Sequence, residues 1–410
     1  MKVAFFLLHY PVFSETFVSK EIFTLQRLGL DGLIVCEKQI HTPPFHPHIS
    51  KIKFPLIEIS PKIFSSSFFK TISAHFYWLL KNPLAYLKSL KLLFSFFSYH
   101  HLRVFIKSPL LAKNLIDQKL DLIYIHEVDS SCLFGLICGS LLKIPVGIII
   151  HTQYLFAQNK YLSTKIKYAD FVIFQSLYSL HSAQKITKLS PKIFHRCHVL
   201  STPGIDTNFF RPPLALKFPS QIRLISIGRL EEAKGYLPLL KAIKILKNSY
   251  PNILLTIIGD GSLRPQLETY ISKNKLKNNI HLLGYLGHDS NLIKLLNQHQ
   301  YFILPSIIDS QKVHDVHPNV VKEAMSAGLI TITSQLGGIT EIINHSQNSF
   351  LINKPTPQNI AKIIKSIHHL PLSQKIKISQ LARKTILHQH QQEKICLQLK
   401  NIFSKYFDEK

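Results

Sequence analysis

The chain has 410 residues, of which 46% are hydrophobic and 18% charged, with 49 Lys and Arg against 23 Asp and Glu for a formal net charge of +26. Those proportions exclude a disordered chain and suffice for two domains with separate cores; the positive balance favours an anionic partner, whether nucleic acid, anionic lipid or a phosphate-rich substrate. Five cysteines, Cys36, Cys132, Cys138, Cys197 and Cys396, are scattered without a Cys-x-x-Cys pair, which suits a reducing compartment and argues against a disulfide framework or zinc ribbon.

At the N-terminus, MKVAFFLLHYPVF has an apolar run from Val3 to Leu8 that is shorter than the roughly 7–15 residues of a signal-peptide core, so it reads as a buried first strand. Further apolar runs follow in order. In the first half they are DGLIVCE (31–37), DLIYIHE (121–127), PVGIIIH (145–151) and DFVIFQS (170–176). The second half carries IRLISIG (222–228), ILLTIIGD (253–260), NIHLLGY (279–285), YFILPS (301–306) and LITITSQ (329–335). Strands that are apolar throughout predict parallel sheets covered on both faces, and their alternation with helical segments predicts stacked βαβ units. The expected architecture is α/β, with two doubly wound, Rossmann-like domains facing across a cleft.

Between Ile59 and Ile116 there is no acidic residue, while Lys62, Lys70, Lys81, Lys88, Lys91, Arg103, Lys107 and Lys113 are interleaved with aromatics. Two readings stand side by side: helices packed on the first sheet with lysines reaching outward, or an interfacial face on anionic lipid. Single-stranded nucleic acid is the weaker third reading, because no nucleic-acid module accompanies the segment. The most membrane-like window, SSCLFGLICGSLLKIPVGIII (130–150), is interrupted by Lys143 and Pro145 and parses as a buried helix, a turn and a strand, short of the roughly 20 apolar residues of a spanning helix. The loop FFRPPLALKFPSQ (209–221), with three prolines, is the natural hinge between halves.

Several residues sit where such folds bind ligands, at the C-terminal edge of a parallel sheet. His126 and His151 end strands; each reads equally as a structural histidine. In IGRLEEAKGY (227–236) a strand ends at Gly228 and a loop presents Arg229 and Lys234, a fork of donors and a point charge suited to a diphosphate or, equally, ordinary solvated charges. The glycine pair of LLTIIGDGSL (254–263) is weak evidence for a dinucleotide. In HDVHPNVVKEAMSAG (314–328), Pro318 and Gly328 bracket a helix of about 318–327, whose free N–H groups near Asn319, Val320 and Val321 offer an anion seat. Asp315 precedes that seat and Glu323 lies about a turn and a half into the helix; spacing alone leaves both readable as solvated acids. His314 and His317 lack the partnered cluster a metal site needs.

Taken in order, SETF (14–17), HTQYLF (151–156), YADFVIFQS (168–176), PGIDTNFFRP (203–212), GRLEEAKG (228–235), IGDG (258–261), LPS (304–306), HPNVVKEAMSAG (317–328) and GGITE (337–341) resemble retaining GT-B glycosyltransferases of family 4. Within that family they look most like the branch acting in colanic-acid and exopolysaccharide assembly. The resemblance implies domains over 1–204 and 205–390, the first carrying the basic aromatic insertion 59–116, and a C-terminal helix (391–410) returning to the first. It also implies a nucleotide-sugar donor, a glycan or lipid-linked acceptor at the cytoplasmic membrane face, peripheral association with anionic membrane, no nucleic acid, and no metal or other cofactor.

By the same resemblance, Glu323 holds the ribose, Arg229 and Lys234 the diphosphate, with Gly228 and the N–H groups of Asn319 and Val320 beside them. Asp315 and His151 contact the donor sugar, no protein nucleophile is assigned, and Ser14, Glu15 and His126 are further candidates. Asp315 stands where the family has a longer glutamate, Val316 where a glycine follows it, and Tyr154 where an acid is usual. The competing readings are a nucleotide-sugar 2-epimerase on the same fold, and a degenerate protein that binds nucleotide sugar or membrane without turnover.

Overall fold

The computed structural model describes residues 1–12, 16–41, 48–59, 68–96, 98–126, 130–151, 155–156, 160–310 and 314–408. It contains two compact units, one of Met1–Pro203 with Ile395–Lys410 and one of Gly204–Lys394. The chain therefore passes between units at Pro203–Gly204, and the proline-rich loop 209–221 lies inside the second unit instead of acting as a hinge. The reason is local: Phe210 O accepts hydrogen bonds from Ser326 Oγ at 2.6 Å and from an Arg383 guanidinium nitrogen at 3.0 Å, which tie the loop's start to the second core.

In the first unit, β1 (Lys2–Tyr10), β2 (Asp31–Gln39), β3 (Leu56–Glu58), β4 (Leu122–Ile125), β5 (Val146–Ile150), β6 (Phe171–Phe174) and β7 (Cys197–Val199) form one sheet in the order β3-β2-β1-β4-β5-β6-β7. In the second, β8 (Arg223–Ile227), β9 (Leu254–Ile258), β10 (Ile280–Leu282), β11 (Tyr301–Leu304), β12 (Ile330–Ser334) and β13 (Phe350–Ile352) are ordered β10-β9-β8-β11-β12-β13. Every strand pair is parallel. Winding reverses between β1 and β4 and again between β8 and β11, so each sheet has a switch point whose C-terminal side is the natural place for a ligand.

The runs read as strands are buried because helices cover both faces of each sheet. One face of the first sheet packs on helices Pro83–Ser95, Tyr99–Leu115 and Ser130–Leu142, the other on helices Thr16–Arg27 and Gln392–Asp408. In the second unit, helices Tyr236–Lys247, Arg264–Lys273 and Pro357–His368 cover one face, and Ser290–Asn297, Asn319–Ser326 and Leu372–Gln389 the other. The apolar Ser130–Leu142 helix is buried almost all round, which accounts for its membrane-like composition. Among the described residues, no helix is long and apolar enough to cross a membrane.

The basic aromatic segment forms helices Phe68–Lys81, Pro83–Ser95 and Tyr99–Leu115. Trp78, Leu92, Leu93, Phe96, Val104 and Phe105 turn inward, and Trp78 Nε1 donates to Pro109 O at 2.9 Å. The outward face is apolar as well: Phe69 and Leu80 are each 82% exposed, and Phe76, Leu84, Leu87 and Phe94 are exposed beside them.

Backbone conformation constrains the second unit most where loops meet. Gly259 has φ +134°, and a Cβ there would lie 2.0 Å from the Gly228 carbonyl oxygen. Gly259→Ala is therefore expected to destabilise the second unit by about 1–3 kcal/mol from backbone strain alone, before the clash is added. A thermal melt that matches the wild type would refute this.

Candidate donor site in the second unit

The side chains singled out from the sequence fall into two groups, one in each unit. In the second unit, β8 ends at Ile227 and the chain runs through Gly228, Arg229 and Leu230 into a single 3-10 turn, Glu232–Lys234. This loop is laced to its neighbours by backbone. Gly228 N donates to Ile258 O at 3.0 Å and Leu230 N to Asp260 O at 2.9 Å, which explains the glycine pair of IGDG as a close loop contact. Gly235 has φ +68°, and a Cβ there would sit 2.0 Å from Pro305 O, while Ile307 N donates to Ala233 O at 2.9 Å. Gly338 N donates to Val316 O at 2.8 Å. GRLEEAKG, IGDG, LPS, the Asp315 loop and GGITE thus converge at one edge of the second sheet, beside its switch point.

At the centre of that edge, Lys234 Nζ lies 2.5 Å from Asp315 Oδ1, and Ser306 Oγ donates to Asp315 Oδ2 at 2.6 Å. Burial by itself would raise the Asp315 carboxyl, but the charge and hydrogen bond of Lys234, the Ser306 hydroxyl and the charge of Arg229 outweigh it and hold the pKa below the ordinary value. The acid is ionised and its charge is already answered. Arg229 points outward, 60% exposed, with one guanidinium nitrogen 3.0 Å from Glu231 Oε1. Of the expected basic pair, then, Lys234 is fixed on an acid and Arg229 is held only by an exposed contact, the kind worth little in water.

The helix beyond spans Asn319–Ser326, one residue shorter at each end than the spacing predicts. Pro318 precedes it in an extended conformation (ψ 120°) and its carbonyl accepts the Val321 N–H at 3.2 Å. Val321 is therefore lost as an anion donor. The N–H groups of Asn319 and Val320 have no acceptor among the described residues. Glu323 is 6% exposed, which rules out a solvated surface acid. Its Oε1 lies 4.0 Å from His288 Nε2, whose ring stacks near Phe209 and meets Phe210 edge-on.

Behind the helix, Lys322 is 1% exposed, with Nζ 3.3 Å from His317 Nδ1, and His317 packs against His390. Burial pushes the Lys322 ammonium down to about 7 against the opposing charge of Glu323. Burial, aided by Lys322, holds His390 at about 3 and lowers His317 as well. Ser306, His288 and Lys322 were not singled out beforehand. Ser306 had a signal in the Pro-Ser step of LPS; the other two had none, since nothing in their local pattern marks them as buried.

In the first unit, His126 follows β4 and His151 follows β5, on the sheet face covered by helix Thr16–Arg27. His126 Nε2 lies 2.9 Å from Glu21 Oε1, with both side chains 1% exposed. His151 stacks on His126 with ring centroids 5.9 Å apart and touches Phe17. Burial first, then the charge of His126, pushes the His151 imidazole down to about 3, against a hydrogen bond to Gln175. Ser14, Glu15 and Tyr154 lie outside the described residues. Among the described residues, no three His, Cys, Asp or Glu side chains cluster as metal ligands.

Two doubly wound parallel sheets in separate units, the second with this edge of glycine-tied loops, are the architecture of the GT-B glycosyltransferases. Residues 213–385 match the family model described as "Glycosyl transferases group 1". A curated relative, the amylovoran biosynthesis glycosyltransferase AmsK of Erwinia amylovora, is 30% identical over 161 residues, 39% of this chain and 39% of AmsK. A second, the Escherichia coli UDP-Gal:alpha-D-GlcNAc-diphosphoundecaprenol alpha-1,3-galactosyltransferase, is 28% identical over 59% of this chain and 65% of its own length. The chain thus spans less than two thirds of either relative. Among solved structures, the Anabaena HepE protein in complex with UDP-glucose superposes with a TM-score of 0.70 at 15% identity, covering 99% of this chain and 100% of that one, a likeness of fold.

The buried lysine yields a pH-dependent prediction. Below pH 7 Lys322 is charged in both folded and unfolded chains, and the folded state bears the full burial cost. Between pH 7 and about 10 the unfolded chain holds a proton that the folded chain has released, so stability rises with pH. Lys322→Met is therefore expected to raise Tm at pH 6, with the gain over wild type shrinking as pH goes from 7 to 10. A gain that does not change with pH would contradict the buried-charge account.

Proposed function

We propose that this chain is a metal-independent, retaining glycosyltransferase that moves a sugar from a nucleotide-sugar donor to a glycan or lipid-linked acceptor. The observation that carries the reading is the Lys234–Asp315–Ser306 cluster at the second sheet's edge, next to two open helix N–H groups and a buried glutamate. A diphosphate placed there meets Arg229, Lys234 and the N–H groups of Asn319 and Val320, donors aimed at charge that grows as the leaving group departs. Glu323 accepts the ribose hydroxyls. Asp315 serves the donor sugar from a position fixed by Lys234, and His151, neutral at physiological pH, offers a ring nitrogen to a sugar hydroxyl. The complex of the structural neighbour HepE with UDP-glucose supports a nucleotide-sugar donor.

The expected acceptor side is the cytoplasmic face of a membrane. The relative named for a diphosphoundecaprenol substrate supports a lipid-linked acceptor. The exposed apolar face of helices Phe68–Lys81 and Pro83–Ser95, with Lys70, Lys88 and Lys91 exposed along it, suits peripheral contact with anionic lipid.

Nucleotide release from UDP-, GDP- and ADP-glucose tests the activity, and no release together with no thermal shift by any of the three nucleotides would sink it. With the donor that responds, Lys234→Ala and Arg229→Ala are expected to lower kcat by about 10²–10³-fold, the cost of losing one donor to a developing oxyanion. Rates near wild type in both would remove them from the site. Reversing Lys70, Lys88 and Lys91 to Glu is expected to weaken binding to phosphatidylglycerol vesicles by at least about tenfold. Unchanged binding would remove the membrane from the proposal.

A further inference from the structure

The first unit holds an acid that the donor chemistry leaves unused. Glu21 lies on helix Thr16–Arg27, 1% exposed, over a sheet face lined by Leu7, Tyr124, Ile149 and Ile173. A buried carboxylate in such a layer is costly unless an opposite charge reaches it. Facing it is the His126 ring, with Nε2 2.9 Å from Glu21 Oε1, although neither side chain is aligned for a linear hydrogen bond. The other groups facing the pair are the Tyr124 hydroxyl on β4, the Cys396 thiol on helix Gln392–Asp408, and His151 after β5. None of these three supplies a positive charge to Glu21, because His151 is held neutral.

The stack continues outward. His151 lies over His126 with an interplanar angle of 21°, flanked by Phe17, and its ring bonds to Gln175, while its Nε2 has no partner among the described residues. Two imidazolium rings buried at that separation would repel strongly, which adds to burial in holding the His151 imidazole down.

We propose that Glu21 and His126 are positioning residues for His151: the carboxylate, 2.9 Å from the His126 ring, fixes that ring, and His126 holds His151 in plane by stacking, with one nitrogen open for a substrate hydroxyl. This rests on the reading above that His151 meets the donor sugar. Removing the carboxylate frees the His126 ring to move, and with it the surface on which His151 stacks. Removing the imidazole of His126 takes that surface away directly.

Histidine-selective NMR on the full chain tests it, with the His151 resonance assigned by its absence in His151→Gln. In the wild type that resonance is expected not to titrate between pH 5 and 8. In Glu21→Gln and in His126→Gln its chemical shift is expected to move, because the ring on which it stacks is released or gone. Nucleotide release with the responsive donor should lose at least about tenfold in kcat, with KM for donor and Kd for UDP unchanged, and Glu21→Asp should recover part of the loss.

A merely structural pair would lower Tm without moving the His151 resonance, and that result overturns the proposal. Loss of kcat with an unmoved resonance overturns it as well. If Glu21→Gln fails to fold, His126→Gln and Glu21→Asp carry the same test. A moved resonance with unchanged kcat upholds the positioning of the His151 ring and overturns the assignment of His151 to the sugar, so the two readings fail separately.

Discussion

Lys234 and Asp315 are 81 positions apart in sequence and 2.5 Å apart in the fold. That contact is what the edge of the second sheet is built to make. Bringing a loop after β8 to a loop after β11 requires backbone to pass against backbone, and Gly235, Gly259 and Gly261 stand where a side chain would collide with a carbonyl oxygen. Ser306 completes the arrangement by answering the other carboxylate oxygen. The result is a cation whose position is set by an acid and an acid whose charge is set by a cation. Neither must reorganise for an anion to be received, and this is the property that makes fixed charges effective in catalysis.

Polar groups buried nearby follow a different logic. Glu323 sits 6% exposed with His288 near one oxygen, while Lys322 on the next helical position is turned toward His317 and His390. One helix, Asn319–Ser326, thus buries a negative group on one side and a positive group on another, beside Val321, Ala324 and Met325, which pack in the core. Stability is spent here on placing charge. In the first unit, the Glu21, His126 and His151 stack is similar in kind, since it too is held in an otherwise apolar layer.

Much of the architecture was legible. All ten apolar runs read as strands are strands; the first two, Lys2–Tyr10 and Asp31–Gln39, extend beyond their runs, and the others are trimmed at one end or both. The strands that escaped, β3, β7 and β13, are three residues long and each lies at the edge of its sheet, where one flank is free and a continuous apolar run is not needed. The loop 209–221 looked like a boundary because prolines punctuate it; hydrogen bonds from Ser326 and Arg383, more than a hundred positions on, hold it in the second unit. The segment 59–116 was left between a packed and an interfacial reading, and the helices use both faces: aromatics turned inward and others exposed.

The sequence by itself determined that this chain makes parallel sheets, because uninterrupted apolar strands are stable only when both faces are covered. It could not decide which charges meet. Asp315 and Glu323 read as ordinary solvated acids until folding put one on Lys234 and buried the other, and Glu21 gave no sign of lying against His126, far later in the chain. Coulomb and hydrogen-bond energies depend on separations of a few ångströms and on the loss of water, and both are set by tertiary packing, not by the local pattern of residues.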